Sequence, residues 1–134
     1  KQRNLIMLLE VSNGEIVDKY TILKIKSERI ADEAKLQSIV KELTMVGQSV
    51  KLILEINNSI QQQIDELYEV NKILWDIENA IREKEFKKEF DDEFIRIARS
   101  VYINNDTRSK IKSMINEKTN SNYVEVKHYS EYSS

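Results

Sequence analysis

From Leu36 to Leu74 the apolar residues recur with a seven-residue period, and no proline interrupts the chain. Leu36, Leu43, Val50, Asn57, Ile64 and Asn71 fall in one register, and Ile39, Val46, Ile53, Ile60, Leu67 and Leu74 fall in the other. Such a seam belongs to helices that pack along helices. Two structures satisfy it. A continuous helix over 33–88 would run about 84 Å at 1.5 Å per residue and pair with a second copy as a coiled coil. A hairpin would reverse at Asn57-Asn58-Ser59, a cluster of turn formers, and lay 33–56 against 59–88. Ser59 followed by Gln62 also fits a capping box, in which the hydroxyl accepts from the amide three residues on. The hairpin accounts for both Asn57 and Ser59, whereas the coiled coil accounts only for Asn57, as a register-setting polar residue. The hairpin is therefore the expectation, with Gly47 a weak point in its first arm.

The flanking segments follow from the same periodicity and from capping chemistry. Leu5 to Val11 is short, almost wholly apolar and bounded by Ser12-Asn13-Gly14, which predicts a buried strand. Ser12 with Glu15 starts a helix through Ile30, with Ile16, Tyr20, Leu23 and Ile30 toward a core. Asp32 caps the next helix. After Lys88, Asp91 or Asp92 caps another, which Asn104-Asn105-Asp106 is expected to stop, and Asp106 caps a last one through about Lys118. Tyr123 to Tyr129 alternates with period two, and its only evident strand partner is Leu5 to Val11. The expected fold is all-α: an antiparallel bundle of about five helices around a long hairpin, with a two-stranded terminal β ribbon. One helical domain spans 1–134, with a frayed tail over 130–134.

Composition narrows the chemistry. The 134 residues include no cysteine and one histidine, His128. Disulfides, thiolate zinc sites and cysteine nucleophiles are excluded, and a metalloprotease motif or a serine–histidine pair would depend on that single imidazole. The formal charge of −2 argues for neither nucleic acid nor membrane by bulk field. A basic stretch over 96–118 carries net +4, but no nucleic-acid motif or aromatic platform accompanies it. The run Leu5 to Leu9 is too short for a signal-peptide core or a membrane span, so a cytoplasmic setting is expected.

The polar residues need separate treatment. In EVSNGEIVDKYTILKIKSERI (10–30), Glu15, Asp18, Lys19, Lys26 and Arg29 lie on one strip at three- and four-residue steps. Trp75, Glu78 and Arg82 continue in NKILWDIENAIR (71–82). Arg99, Tyr102, Asp106 and Arg108 follow in FIRIARSVYINNDTRSKIKSMIN (94–116). Together with VEVKHY (124–129), these stretches resemble a family of small, mostly bacterial and virus-associated proteins classed as a domain of unknown function. The likeness covers nearly the whole chain, departing at Asn13, at Asn79 and after Gly47. It implies no activity, and a loose association with surface-polysaccharide or glycosyltransferase functions is its only pointer.

Two explanations fit the matched charges. They form interhelical ion pairs that fix the register of a slim bundle, with Trp75 and Tyr102 as core. Alternatively, their arginines and lysines converge on a phosphate or carboxylate ligand. Magnesium held by Glu15 with Asp18, or by Glu66 with Glu69, would rest on i, i+3 spacings that any charged helix contains. Asp91-Asp92-Glu93 is better read as helix capping than as a metal motif, because the alternating α/β pattern of a nucleotide-sugar domain is missing. The reading is a non-catalytic interaction module, homodimeric through its heptad face, without a cofactor. The alternative is a small-molecule protein or enzyme for phosphorylated or sugar-nucleotide ligands.

Overall fold

A computed structural model describes residues 5–121 and residue 131. Four α-helices follow one another: α1 (Asn13–Arg29), α2 (Glu33–Ile56), α3 (Gln61–Lys87) and α4 (Asp92–Lys118), with a single 3₁₀ turn over Asn58–Ile60 between α2 and α3. Among the described residues the count is four rather than five because Asn104, Asn105 and Asp106 do not stop α4. Asn104 instead turns its amide back to the Ser100 carbonyl at 2.8 Å, a bond that lets a turn-forming residue sit inside a helix.

Side-chain caps set most helix starts. Ser12 accepts from the Glu15 amide at 3.1 Å, Asp32 from Lys35 at 3.0 Å and Asp91 from Phe94 at 2.9 Å, each satisfying an amide that the first turn leaves open. At the central corner the cap is Asn57, which accepts from the Ser59 amide at 3.0 Å. Ser59 itself lies in the 3₁₀ turn, and α3 begins after Ile60 with no side-chain cap, so the predicted Ser59–Gln62 box does not form.

The break at Asn57 excludes the continuous 56-residue helix. The hairpin exists in sequence but not in packing: α2 and α3 meet at their corner and diverge, while α1 lies along both. α1 also packs on α4, which makes it the central element. The contacts fix directions. Glu15 meets Lys112 and Asp18 meets Arg108, so α1 and α4 are antiparallel, whereas Asp18 with Asn71 and Arg29 with Asp76 make α1 and α3 parallel. α3 and α4 form the true antiparallel hairpin, from Gln63–Lys118 at one end to Lys84–Asp91 at the other.

The core gathers Val17 of α1, Val50 and Ile53 of α2, Ile60 of the turn, Ile64, Leu67 and Val70 of α3, and Ile115 of α4. Five of these eight are heptad positions, so part of the seam is spent inside the chain. Each fully buried aliphatic side chain contributes roughly 1.5–3 kcal/mol, which concentrates stability at the α2–α3 corner. Leu5 to Val11 forms no strand, and Leu5 to Leu9 are 81–93% exposed, so the expected burial of this segment is overturned. Its expected partner, Tyr123 to Tyr129, lies outside the described residues.

Candidate functional site

The polar residues that come together form a seam where the start of α1 meets the second half of α4. Gly14 is the point of closest approach. Its amide donates to Asn116 Oδ1 at 2.7 Å, and a methyl group in place of its hydrogen would lie 2.5 Å from the Lys112 carbonyl oxygen. Only glycine lets two helix backbones meet this closely. One residue earlier, Asn13 donates its amide to Ser121 Oγ at 3.1 Å and its side chain to Thr119 Oγ1 at 3.0 Å. One residue later, Glu15 accepts from the nearly buried Lys112 ammonium at 2.5 Å.

A turn further along α1, Asp18 is buried and accepts from three donors. Arg108 reaches it through Nε at 2.8 Å and through a second guanidinium nitrogen at 2.5 Å, a bidentate fork, and Asn71 donates at 3.0 Å. The same Asn71 amide also donates to Thr21 Oγ1 at 2.9 Å, so α1, α3 and α4 share one network. Lys118 donates to Gln63 at 3.0 Å, and Asn57 donates to the Lys118 carbonyl at 3.3 Å, which extends the polar contacts to the corner. Among the described residues, no buried side-chain polar atom lacks a partner. A satisfied network of this kind rigidifies and fixes register.

Of the twelve positions singled out in the sequence, the structure brings Glu15, Asp18 and Arg108 into this seam. The others are dispersed. Lys19 reaches outward to Glu42 at 2.9 Å, and Lys26 is half-buried beside Ile30 and Ile39. Arg29 sits 6.0 Å from the Trp75 ring and pairs with Asp76 at 2.7 Å. Glu78 and Arg82 pair with each other on the exposed face of α3 at 2.7 Å. Arg99 and Tyr102 meet at 3.5 Å on the outside of α4, and Asp106 borders a shallow depression with Lys110 and Ser113. Trp75 is half-buried, whereas Tyr102 is an exposed side chain rather than the expected core residue.

Sequence reasoning passed over Asn71, Lys112, Asn116 and Gly14. A signal was present: Arg108, Lys112 and Asn116 recur every fourth residue on α4, the spacing of one helical face, and match Gly14, Glu15 and Asp18 on α1.

Lys84, Asp91 and Tyr68 carry shifted acidities. At the α3–α4 turn, Lys84 binds Asp91 at 2.9 Å and approaches Glu93 and Glu89. The Asp91 hydrogen bond is the main cause that pushes Lys84 up to about 12, and Lys84 in turn holds the Asp91 carboxyl below its ordinary value, with help from the Phe94 amide. On the α1–α3 face, Tyr68 donates to Glu28, which raises the phenol, while Lys24 and Lys72 lie 5.0 and 4.5 Å from its ring. No group of three acidic or histidine side chains gathers as a metal site among the described residues, and no helix among them is long and apolar enough to cross a membrane.

Comparison with curated proteins and with solved structures brings no match. A family profile does match, over residues 7–134, and so takes in the capped start of α1, the polar seam and all four helices. The chain belongs to the family of unknown function DUF6165.

Proposed function

We propose that the protein is a non-catalytic helical interaction module that associates with itself through the outer face of α2. The observation that carries this is the alignment of Met45, Leu52 and Ile56, which are 63, 63 and 59% exposed. Spacings of seven and four residues put them on one stripe, about a third of a turn round the helix from the face that holds Val46, Val50 and Ile53. A lone exposed apolar residue is ordinary, but a stripe of three large ones flanked by charge is what an association face presents. A second copy is the partner that the flank fits. Lys41, Gln48 and Glu55 stand at seven-residue steps beside the stripe. If two α2 helices meet antiparallel, Lys41 of each faces Glu55 of the other, and Met45 faces Leu52.

The charged residues support the same reading. An anion site would require Arg108 and Lys112 to leave Asp18 and Glu15, partners that are themselves buried or half-buried. The test is sedimentation equilibrium of the full chain. Met45→Glu with Leu52→Glu is expected to turn a dimer into a monomer while leaving the circular dichroism melt unchanged. A wild-type chain that stays monomeric to millimolar concentration would overturn the reading.

A further inference from the structure

The end of α1 and the start of α2 form a two-helix unit that is only half covered. Over residues 33–49 no side chain of α2 is buried, and the heptad residues Leu36, Ile39, Leu43 and Val46 remain partly open. A groove of about 420 Å³ runs along this unit, floored by Ile30, Ala34 and Ile39 and rimmed by Lys26 from α1 and Lys35 from α2. An apolar cavity of about 150 Å³ holds a benzene ring, so this groove has room for two or three aliphatic side chains.

The charges of the rim are unanswered. Lys19 of α1 and Glu42 of α2 join across the two helices at 2.9 Å. Lys26 follows Lys19, and Lys35 precedes Glu42, by seven residues each, which is two turns along the same flank of an antiparallel pair. Where the first couple is lysine with glutamate, the second is lysine with lysine. Neither ammonium makes an ion pair or hydrogen bond among the described residues, and no carboxylate lines the groove there. Of the nearby acids, Glu28 is taken by Tyr68 and Asp32 by the Lys35 amide, while Glu33, two residues before Lys35, lies on the far side of α2. Lys26 is half-buried, and a charge drawn out of water without a partner costs free energy. Elsewhere the chain avoids this. Lys72, Lys84, Arg108, Lys112 and Lys118 are also partly or wholly buried, and they meet Glu69, Asp91, Asp18, Glu15 and Gln63 in turn.

We propose that this groove is the docking site for an acidic amphipathic helix of a partner protein. Carboxylates on the flank of that helix stand between Lys26 and Lys35, and its aliphatic side chains rest on Ile30, Ala34 and Ile39. A furrow open along its length between two helices suits a third helix, which reads it through residues three and four apart, whereas a small-molecule pocket encloses most of its ligand. The site does not rest on the α2 pairing. In that pairing the second α2 ends about where Lys41 stands, and residues 34–39 lie beyond it.

The experiment titrates full-length, nitrogen-15-labelled protein with two synthetic amphipathic helices. Both carry leucine along the apolar face; one has glutamate on its flanks and the other lysine. The glutamate helix is expected to shift the amides of 26–39, and the lysine helix is not. Lys26→Glu with Lys35→Glu is expected to weaken the glutamate helix on the order of tenfold and to let the lysine helix bind instead. Lys35 is exposed, so Lys35→Glu alone serves if the double variant loses its cooperative melt. Equal binding of the two helices to the wild type overturns the proposal, because the rim charges then select nothing. So does a glutamate helix that leaves 26–39 unmoved. Amides 26–39 that shift with protein concentration alone overturn it in favour of a second copy. Anionic phospholipid vesicles that shift them and are not displaced by the glutamate helix overturn it in favour of a lipid surface. The α2 pairing is judged separately, by sedimentation.

Discussion

Asp18 is almost wholly buried, and Arg108 answers it with two hydrogen bonds from a partly exposed guanidinium. Replacing the pair with apolar residues need not destabilise, but removing one partner leaves the other unanswered in a low-dielectric setting. Arg108→Ala is therefore expected to lower unfolding stability by about 3 kcal/mol, the low end for a buried pair because the guanidinium reaches water. A urea titration measures it, and a loss under about 1 kcal/mol would show that water solvates Asp18 after all. Gly14→Ala sets two effects against each other. Alanine favours the helix by about 1 kcal/mol, yet its methyl would overlap the Lys112 carbonyl, and overpacking against backbone costs about 1–3 kcal/mol or more. Net destabilisation near 2 kcal/mol is expected, together with a weaker Gly14–Asn116 bond seen as faster exchange of the Gly14 amide. A stabilised variant would mean that α1 and α4 separate at no cost. Both residues stood in the sequence as part of a charged, glycine-bearing stretch, but their roles were hidden. Spacing reveals which face a side chain occupies and not which distant helix receives it.

At the level of elements, the caps were readable where a short polar side chain directly precedes a periodic run, as at Ser12, Asp32 and Asp91. They were misread at the corner. Asn57 and Ser59 are both good caps, and the choice between them depends on where Ile60 must go to reach the core. Asn57→Ala is expected to cost about 1 kcal/mol through loss of the cap. Ser59→Ala should stay within about 0.5 kcal/mol, and thermal melts of the two variants would reverse the assignment if the order were opposite. The α3–α4 turn makes a prediction about pH. Asp91 has a folded value below its unfolded one, so its contribution is present above about pH 4 and is lost as pH falls through the lowered folded value. Lys84 is raised, so its contribution is complete below its unfolded value of about 10.5 and is lost as pH rises through about 12. Carbon-detected NMR titration should find the Asp91 midpoint below 3.8, moving upward in Lys84→Ala. An unmoved midpoint would leave the Phe94 amide as the sole cause.

For the molecule as a whole, the all-helical class and the boundaries of the first three helices follow from periodicity, while the arrangement does not. A heptad seam states that helices pack but does not say with which neighbour, and α1 intervenes between the two segments that the seam appeared to join. α1 was the least conspicuous helix because its core positions are mixed with the polar residues of the seam. Its placement also governs when the fold can close. α1 leaves the ribosome before residues 108–121, which receive it, so contacts such as Gly14–Asn116 and Asp18–Arg108 join positions some ninety to a hundred residues apart. Loop closure over that length must precede the contacts that reward it, which slows folding relative to bundles built of sequential neighbours. A nascent chain released only to residue 107 has α1, α2 and α3 but lacks Asn116 to accept from the Gly14 amide and the Arg108 fork that donates to Asp18. Such a truncated chain is expected to melt without cooperativity in far-ultraviolet circular dichroism, whereas the full chain melts in one transition. These four helices are thus poor candidates for folding piecemeal during synthesis, and α1 waits, open to chaperones and proteases, for the arrival of α4.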